Sequence, residues 1–164
     1  LIWDGCDSAA WDKLYKVKLF KGRRYPFGVL HEDLNFTSKL FSESNKIVLT
    51  GMPLYNYLIR ENSICNKPFT TQKFDIYEQA KLNCQFVRDT YKELEEKAKY
   101  FLFRCTCTLL QSASDAAQIS EKDLKRVKEL ARTQLSTAIL NRFVPLGERK
   151  YYFELLYKVC IKKK

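Results

Sequence analysis

Glu32 and Asp33 are the residues whose types and setting best fit proton-transfer chemistry in this chain. They lie in the segment Phe27-Gly28-Val29-Leu30-His31-Glu32-Asp33-Leu34-Asn35-Phe36, where an acidic pair follows a Pro/Gly turn and opens a helix-like run. Adjacent helix positions point about 100° apart, so the two carboxylates cannot both aim at one hydroxyl. The chemistry on offer is that of a single base. Glycoside hydrolysis differs, because it needs two carboxylates flanking the scissile bond at about 5 to 9.5 Å. Acidic residues at helix starts also cap exposed N–H groups and favour the helix dipole, and spacing alone leaves that structural role open.

Two further clusters flank the pair: Trp11-Asp12-Lys13-Leu14-Tyr15 upstream, and Pro53-Leu54-Tyr55-Asn56-Tyr57-Leu58-Ile59-Arg60-Glu61-Asn62-Ser63-Ile64 downstream. In this order and at these distances, the three resemble the acceptor-side half of family 2 inverting glycosyltransferases of the bacterial polysaccharide and capsule type. The resemblance covers about the first 75 residues and is carried by short motifs. It implies transfer of a sugar, with inversion, from a nucleotide-sugar donor to a lipid-linked or polysaccharide acceptor. By the same resemblance Asp33 is the general base and Glu32 supports it. Trp11 would stack on an acceptor sugar, Lys13 would reach an anionic group or Asp33, and His31 would orient the acceptor or contact phosphate. Arg60 and Ser63 match the Arg-x-x-Ser part of the family's Tyr-x-Tyr-x-x-Arg run and would bind diphosphate oxygens, a task suited to a guanidinium fork.

The family binds its donor through an α/β half ending in a carboxylate pair that holds Mg²⁺ or Mn²⁺. This sequence has neither a strand-glycine-helix unit nor an Asp-x-Asp, and Asp4-Gly5-Cys6-Asp7 has the wrong spacing. The expectation is therefore a chain that binds no cofactor and lacks turnover in isolation, with the divalent metal belonging to the full-length enzyme. The chain opens on Leu1 in what reads as an ongoing fold, so it is expected to be a piece of a longer protein.

Among 164 residues, 46% are apolar and 14% aromatic, which excludes a disordered chain and allows one sizeable core. The net charge of +10 is unevenly placed. Residues 97–164 hold 15 Lys/Arg against 6 Asp/Glu, a net of +9, whereas residues 1–96 carry +1. A face of that kind is either a solvated helical face or one that favours an anionic partner, a phospholipid surface, nucleic acid or a pyrophosphate-linked acceptor, and composition alone does not choose; in the transferase reading residues 97–164 would rest on an anionic membrane or dock a partner subunit. The rival reading of the whole chain is a noncatalytic basic helical module binding nucleic acid or an acidic partner. Nucleic acid is the weaker fit, because the aromatics fall at core spacing instead of alternating with cations.

Cysteines at 6, 65, 84, 105, 107 and 160 form no C-x-x-C pair, and the single His31 removes any Cys/His zinc pattern. Cys84 and Cys105 fall on apolar-periodic stretches and read as small buried hydrophobes in a reducing compartment; neither a disulfide nor a structural metal is expected. The chain has no run of about 18 apolar residues and no signal segment. The expected location is the cytoplasm, including a peripheral position at the inner face of a membrane.

These residues need elements to hold them. The expected class is α+β and predominantly helical, a fragment of a nucleotide-diphospho-sugar transferase fold: residues 1–69 form the acceptor-side part and 70–164 a helical extension. A short amphipathic helix is predicted over residues 8–20 and a second from about Asp33 to Glu43. Lys46–Thr50 and Leu54–Leu58 read as two short strands around Gly51-Met52-Pro53. From Thr70 onward the three- and four-residue recurrence of Phe74, Tyr77, Lys81, Cys84, Val87, Tyr91, Leu94, Ala98, Phe101, Leu102, Cys105 and Leu109 predicts one long helix or two closely joined. Ser120 is a plausible N-cap for a helix from Glu121 to Arg142, and Glu148 to Ile161 forms the last helix.

Overall fold

The computed structural model describes residues 8–58 and 68–161. Leu1–Lys67 and Pro68–Lys164 form separate compact units.

Among the described residues of the first unit the α-helix is α1 (Glu32–Ser42), which buries Leu34, Thr37, Ser38 and Leu40. The predicted helix over 8–20 is replaced by turns and a single 3-10 turn, Val17–Phe20. Leu14 and Val17, two members of its expected apolar stripe, are instead almost wholly exposed. What fastens this irregular stretch is aromatic packing against the helix. Phe20 and Tyr25 both lie against Phe36 of α1, at 5.8 and 4.4 Å between ring centroids, and Tyr15 meets Phe20 edge-on at 5.4 Å. At the head of the stretch, the buried Thr37 hydroxyl donates to the Ser8 carbonyl at 2.8 Å.

The expected two-stranded β element is overturned: the described residues contain no strand, so the class is helical and not α+β. Lys46–Leu58 runs without a ladder, its local bonds being Met52 N–H to the Thr50 hydroxyl and Leu54 N–H to the Met52 carbonyl. The physical reasons are local. Pro53 lacks a donor, two strands alone are marginal in water, and the leucines that should have supplied a buried face, Leu54 and Leu58, lie exposed. Nor does this helical arrangement show a fragment of a nucleotide-diphospho-sugar transferase fold.

In the second unit five helices follow one another: α2 (Asp75–Thr90), α3 (Glu95–Asp115), α4 (Glu121–Arg132), α5 (Leu135–Leu140) and α6 (Leu146–Ile161). The central helix is α3, packed against each of the other four. Its sequence explains that place, since Phe101, Phe103, Cys105, Cys107, Leu109 and Leu110 bury side chains over most of its circumference, leaving Lys97, Arg104, Thr108 and Asp115 on one exposed side. Of the two arrangements predicted for residues 70–109, the split one is observed, with the backbone leaving helical geometry at Tyr91. The Ser120 cap forms as predicted, its hydroxyl accepting from the Asp123 N–H at 3.1 Å. The helix it starts is shorter than expected. Thr133 turns its hydroxyl back onto the Leu130 carbonyl at 2.6 Å, competing with the helical ladder, and the chain re-enters helix only at Leu135. Phe103 and Tyr152 pack at 5.2 Å, and the Tyr152 hydroxyl donates to the Ala131 carbonyl at 2.6 Å, joining α3, α6 and α4.

Candidate functional site

The acidic pair begins α1. His31 occupies the N-cap in the left-handed region, with φ 57° and ψ 31°, and its side chain makes no capping bond. This conformation turns the chain sharply into the helix, so Glu32 and Asp33 take its first two positions, both half-buried. A first-turn carboxylate there is favoured by the dipole while remaining open to solvent on one side.

Trp11 and Lys13 sit in the irregular stretch that Thr37 tethers through Ser8. Lys13 is drawn inward, its side chain only 11% exposed, and its ammonium donates to the Ala9 carbonyl at 2.7 Å and pairs with Asp12. Trp11 stays about half exposed and contacts two rings, Tyr55 at 4.4 Å and Tyr57 at 5.2 Å. Tyr55 and Tyr57 lie in the segment Leu54–Leu58 predicted as a strand, and their two-residue spacing is the signal for this contact: in extended chain, i and i+2 face the same way. The three rings form an aromatic surface whose faces and edges are accessible, a shape suited to a ligand with an apolar face and hydroxyl edges. Arg60 and Ser63 lie outside the described residues.

A separate concavity of about 350 Å³ belongs to the second unit, lined by Arg104, Cys107, Thr108, Gln111, Asp115, Glu148 and Tyr151 among others. Hydrogen bonds from Tyr100 to Glu148 at 2.9 Å and from Tyr151 to Gln111 at 2.6 Å order its wall. Burial first, then the neighbouring Glu148, pushes the Cys107 thiol up to about 12, so its sulfur stays protonated and unreactive at neutral pH. None of the candidate catalytic or substrate-binding residues named from the sequence lines this hollow. Among the described residues no group of three His, Cys, Asp or Glu side chains has the geometry to hold a metal ion.

Over 56 residues the chain is 39% identical to the Glycosyltransferase GlyA of Streptococcus pneumoniae serotype 4 (strain ATCC BAA-334 / TIGR4), a match covering 34% of this chain and 8% of that protein. Over that stretch the chain is related to a glycosyltransferase. The shared segment spans less than a tenth of the relative's length, so the relationship concerns a part and not the whole. No family model matches the chain, and no solved structure does. Among the described residues, no helix is long and apolar enough to cross a membrane.

Proposed function

We propose that this chain is the acceptor-side part of an inverting glycosyltransferase, of the family 2 type, that moves a sugar from a nucleotide-sugar donor to a lipid-linked or polysaccharide acceptor. The observation that carries the reading is the placement of Glu32 and Asp33 on the first turn of α1, half-buried behind the left-handed turn at His31. The partial kinship with a glycosyltransferase supports it.

In this mechanism an acceptor hydroxyl attacks the anomeric carbon of the donor sugar. The new glycosidic C–O bond forms as the bond to the diphosphate breaks, and the nucleoside diphosphate leaves with the electron pair from the opposite face. Asp33 takes the hydroxyl proton as general base, and Glu32, pointing about 100° away, binds or orients the acceptor. Trp11 offers its ring to the acceptor sugar, and His31 directs the acceptor from the turn. Lys13, held by the Ala9 carbonyl and Asp12, is assigned to an anionic group of the substrate. Arg60 and Ser63 are assigned to the leaving diphosphate. The donor site, with the divalent cation such an enzyme uses, is assigned to parts of the full-length protein beyond these residues.

The test is Asp33→Asn in the full-length protein. Loss of a positioned base lowers turnover by about 10² to 10⁴-fold, while binding of the nucleotide-sugar donor stays unchanged. Near-normal turnover removes Asp33 from the mechanism.

A further inference from the structure

The helix α6 is apolar on two opposite sides. Tyr152, Leu155 and Val159 are fully buried against the bundle. Yet Leu146, Phe153, Tyr157 and Ile161 are 82%, 42%, 66% and 57% exposed. Their steps of seven, four and four residues place them on one stripe, on the side away from the buried three. Leu82 of α2 and Ile139 and Leu140 of α5 are exposed as well, but they are scattered over two helices and form no comparable stripe. α4 buries Leu124, Val127 and Ala131 and shows solvent Lys122, Lys125, Arg126 and Arg132, the ordinary division for a surface helix.

Cations border the stripe. Lys150 lies within it, loosely paired with Glu154 at 3.9 Å, and Lys158 lies beside it. Lys128 of α4 reaches across to the Cys160 carbonyl at 3.3 Å. The sequence then continues as Lys162-Lys163-Lys164. An aromatic and aliphatic stripe edged by lysines is the composition of a helix that lies in the headgroup region: rings and Ile enter the acyl boundary while ammonium groups meet lipid phosphates.

We propose that this outer face of α6 seats the protein on an anionic lipid surface. A second copy is a poor occupant, because pairing two such faces brings together two regions each carrying +9 over residues 97–164. Nucleic acid would answer the lysines but leave the stripe uncovered. At 16 residues, about 24 Å long, α6 fits a helix that lies along the surface rather than one that spans it. The inference sharpens the expected membrane contact from a charged region to one helix face, and it stands independently of the transferase reading because its readout is binding and not turnover.

The experiment is co-sedimentation of the 164-residue chain with phosphatidylcholine vesicles, with and without phosphatidylglycerol, at low and raised salt. The wild-type chain is expected in the pellet with anionic vesicles and largely in the supernatant with neutral ones. Phe153→Ser/Tyr157→Ser/Ile161→Ser should lower the partition about tenfold or more. Helical circular dichroism verifies the fold of that variant, and Lys150→Glu/Lys158→Glu, which leaves the apolar residues in place, should weaken anionic binding and its salt sensitivity. Equal pelleting with both vesicle types overturns the proposal, as does undiminished binding by the folded triple variant. Sedimentation velocity in the absence of lipid adds a third way to fail: a self-association abolished by the triple variant assigns the face to a second copy.

Discussion

At the scale of single residues, the turn into α1 depends on His31. It is the one non-glycine residue with positive φ among those described, at 57°. Histidine visits that region more readily than most residues, but a β-branched side chain does so only with strain. His31→Val and His31→Gly both delete the imidazole and whatever it contacts, so their difference isolates the backbone. The valine variant should be less stable than the glycine variant by about 1 kcal/mol, even after the extra unfolded-state freedom of glycine is counted. Urea unfolding of the two measures it. Equal stability would mean that the left-handed turn does not set the direction of Glu32 and Asp33. The neighbouring Gly28, also at positive φ (75°), meets nothing within 4 Å of an added Cβ, so its constraint is conformational and not steric.

At the scale of elements, the corner between α5 and α6 is held by polar side chains inside the fold. Asn141 is buried; its amide donates to the Glu96 carbonyl at 2.7 Å, and its Oδ1 accepts from the Phe143 N–H at 2.9 Å. Arg149 then closes the corner from the other side, donating to the carbonyls of Val144, Asn141 and Ile139. Asn141→Ala removes both bonds and leaves the half-buried Phe143 N–H without this partner, so it should cost about 1 to 3 kcal/mol in thermal or urea unfolding. Such corners mark the limit of what the chain discloses as sequence. Helix starts with local chemistry were legible: Ser120 with Asp123, and the acidic opening of α1. So was the apolar period of α2 and α3, whose stripes face the core; on α6 the stripe of Tyr152, Leu155 and Val159 does so, while that of Leu146, Phe153, Tyr157 and Ile161 lies exposed. The break after Arg132 was not legible, since it depends on a threonine hydroxyl choosing the Leu130 carbonyl, and neither was the fate of residues 46–58. Their β-branched and aromatic content promised strands, but propensity becomes a ladder only when a partner edge is supplied. Of the candidate site, the acidic pair and Trp11 could be named from their residues, whereas Tyr55 and Tyr57 as its ring partners required the fold.

At the scale of the whole molecule, burial of ionisable groups couples stability to alkaline pH. Burial pushes the Cys105 and Cys107 thiols from an ordinary value near 9 up to about 12, and it raises the Tyr15 and Tyr152 phenols well above their usual 10. The direction of the effect follows from proton counting. Above pH 9 the unfolded chain begins to release these protons while the native chain retains them, so the unfolded state binds fewer protons and stability declines with rising pH. The contribution is fully present below about 9 and is lost as pH climbs toward about 12 for the thiols, with the buried phenols extending the fall. The melting temperature should therefore stay nearly level from neutral pH to about 9 and then drop. Cys105→Ala/Cys107→Ala should start from a lower melting temperature at neutral pH, because two buried sulfurs leave small voids, yet fall less steeply beyond about 9. A parallel slope in variant and wild type would locate the alkaline loss in the tyrosines instead. Native-state alkylation gives an independent check on the same burial: exposed Cys160 should react readily at mildly alkaline pH, and Cys105 and Cys107 only once the second unit opens.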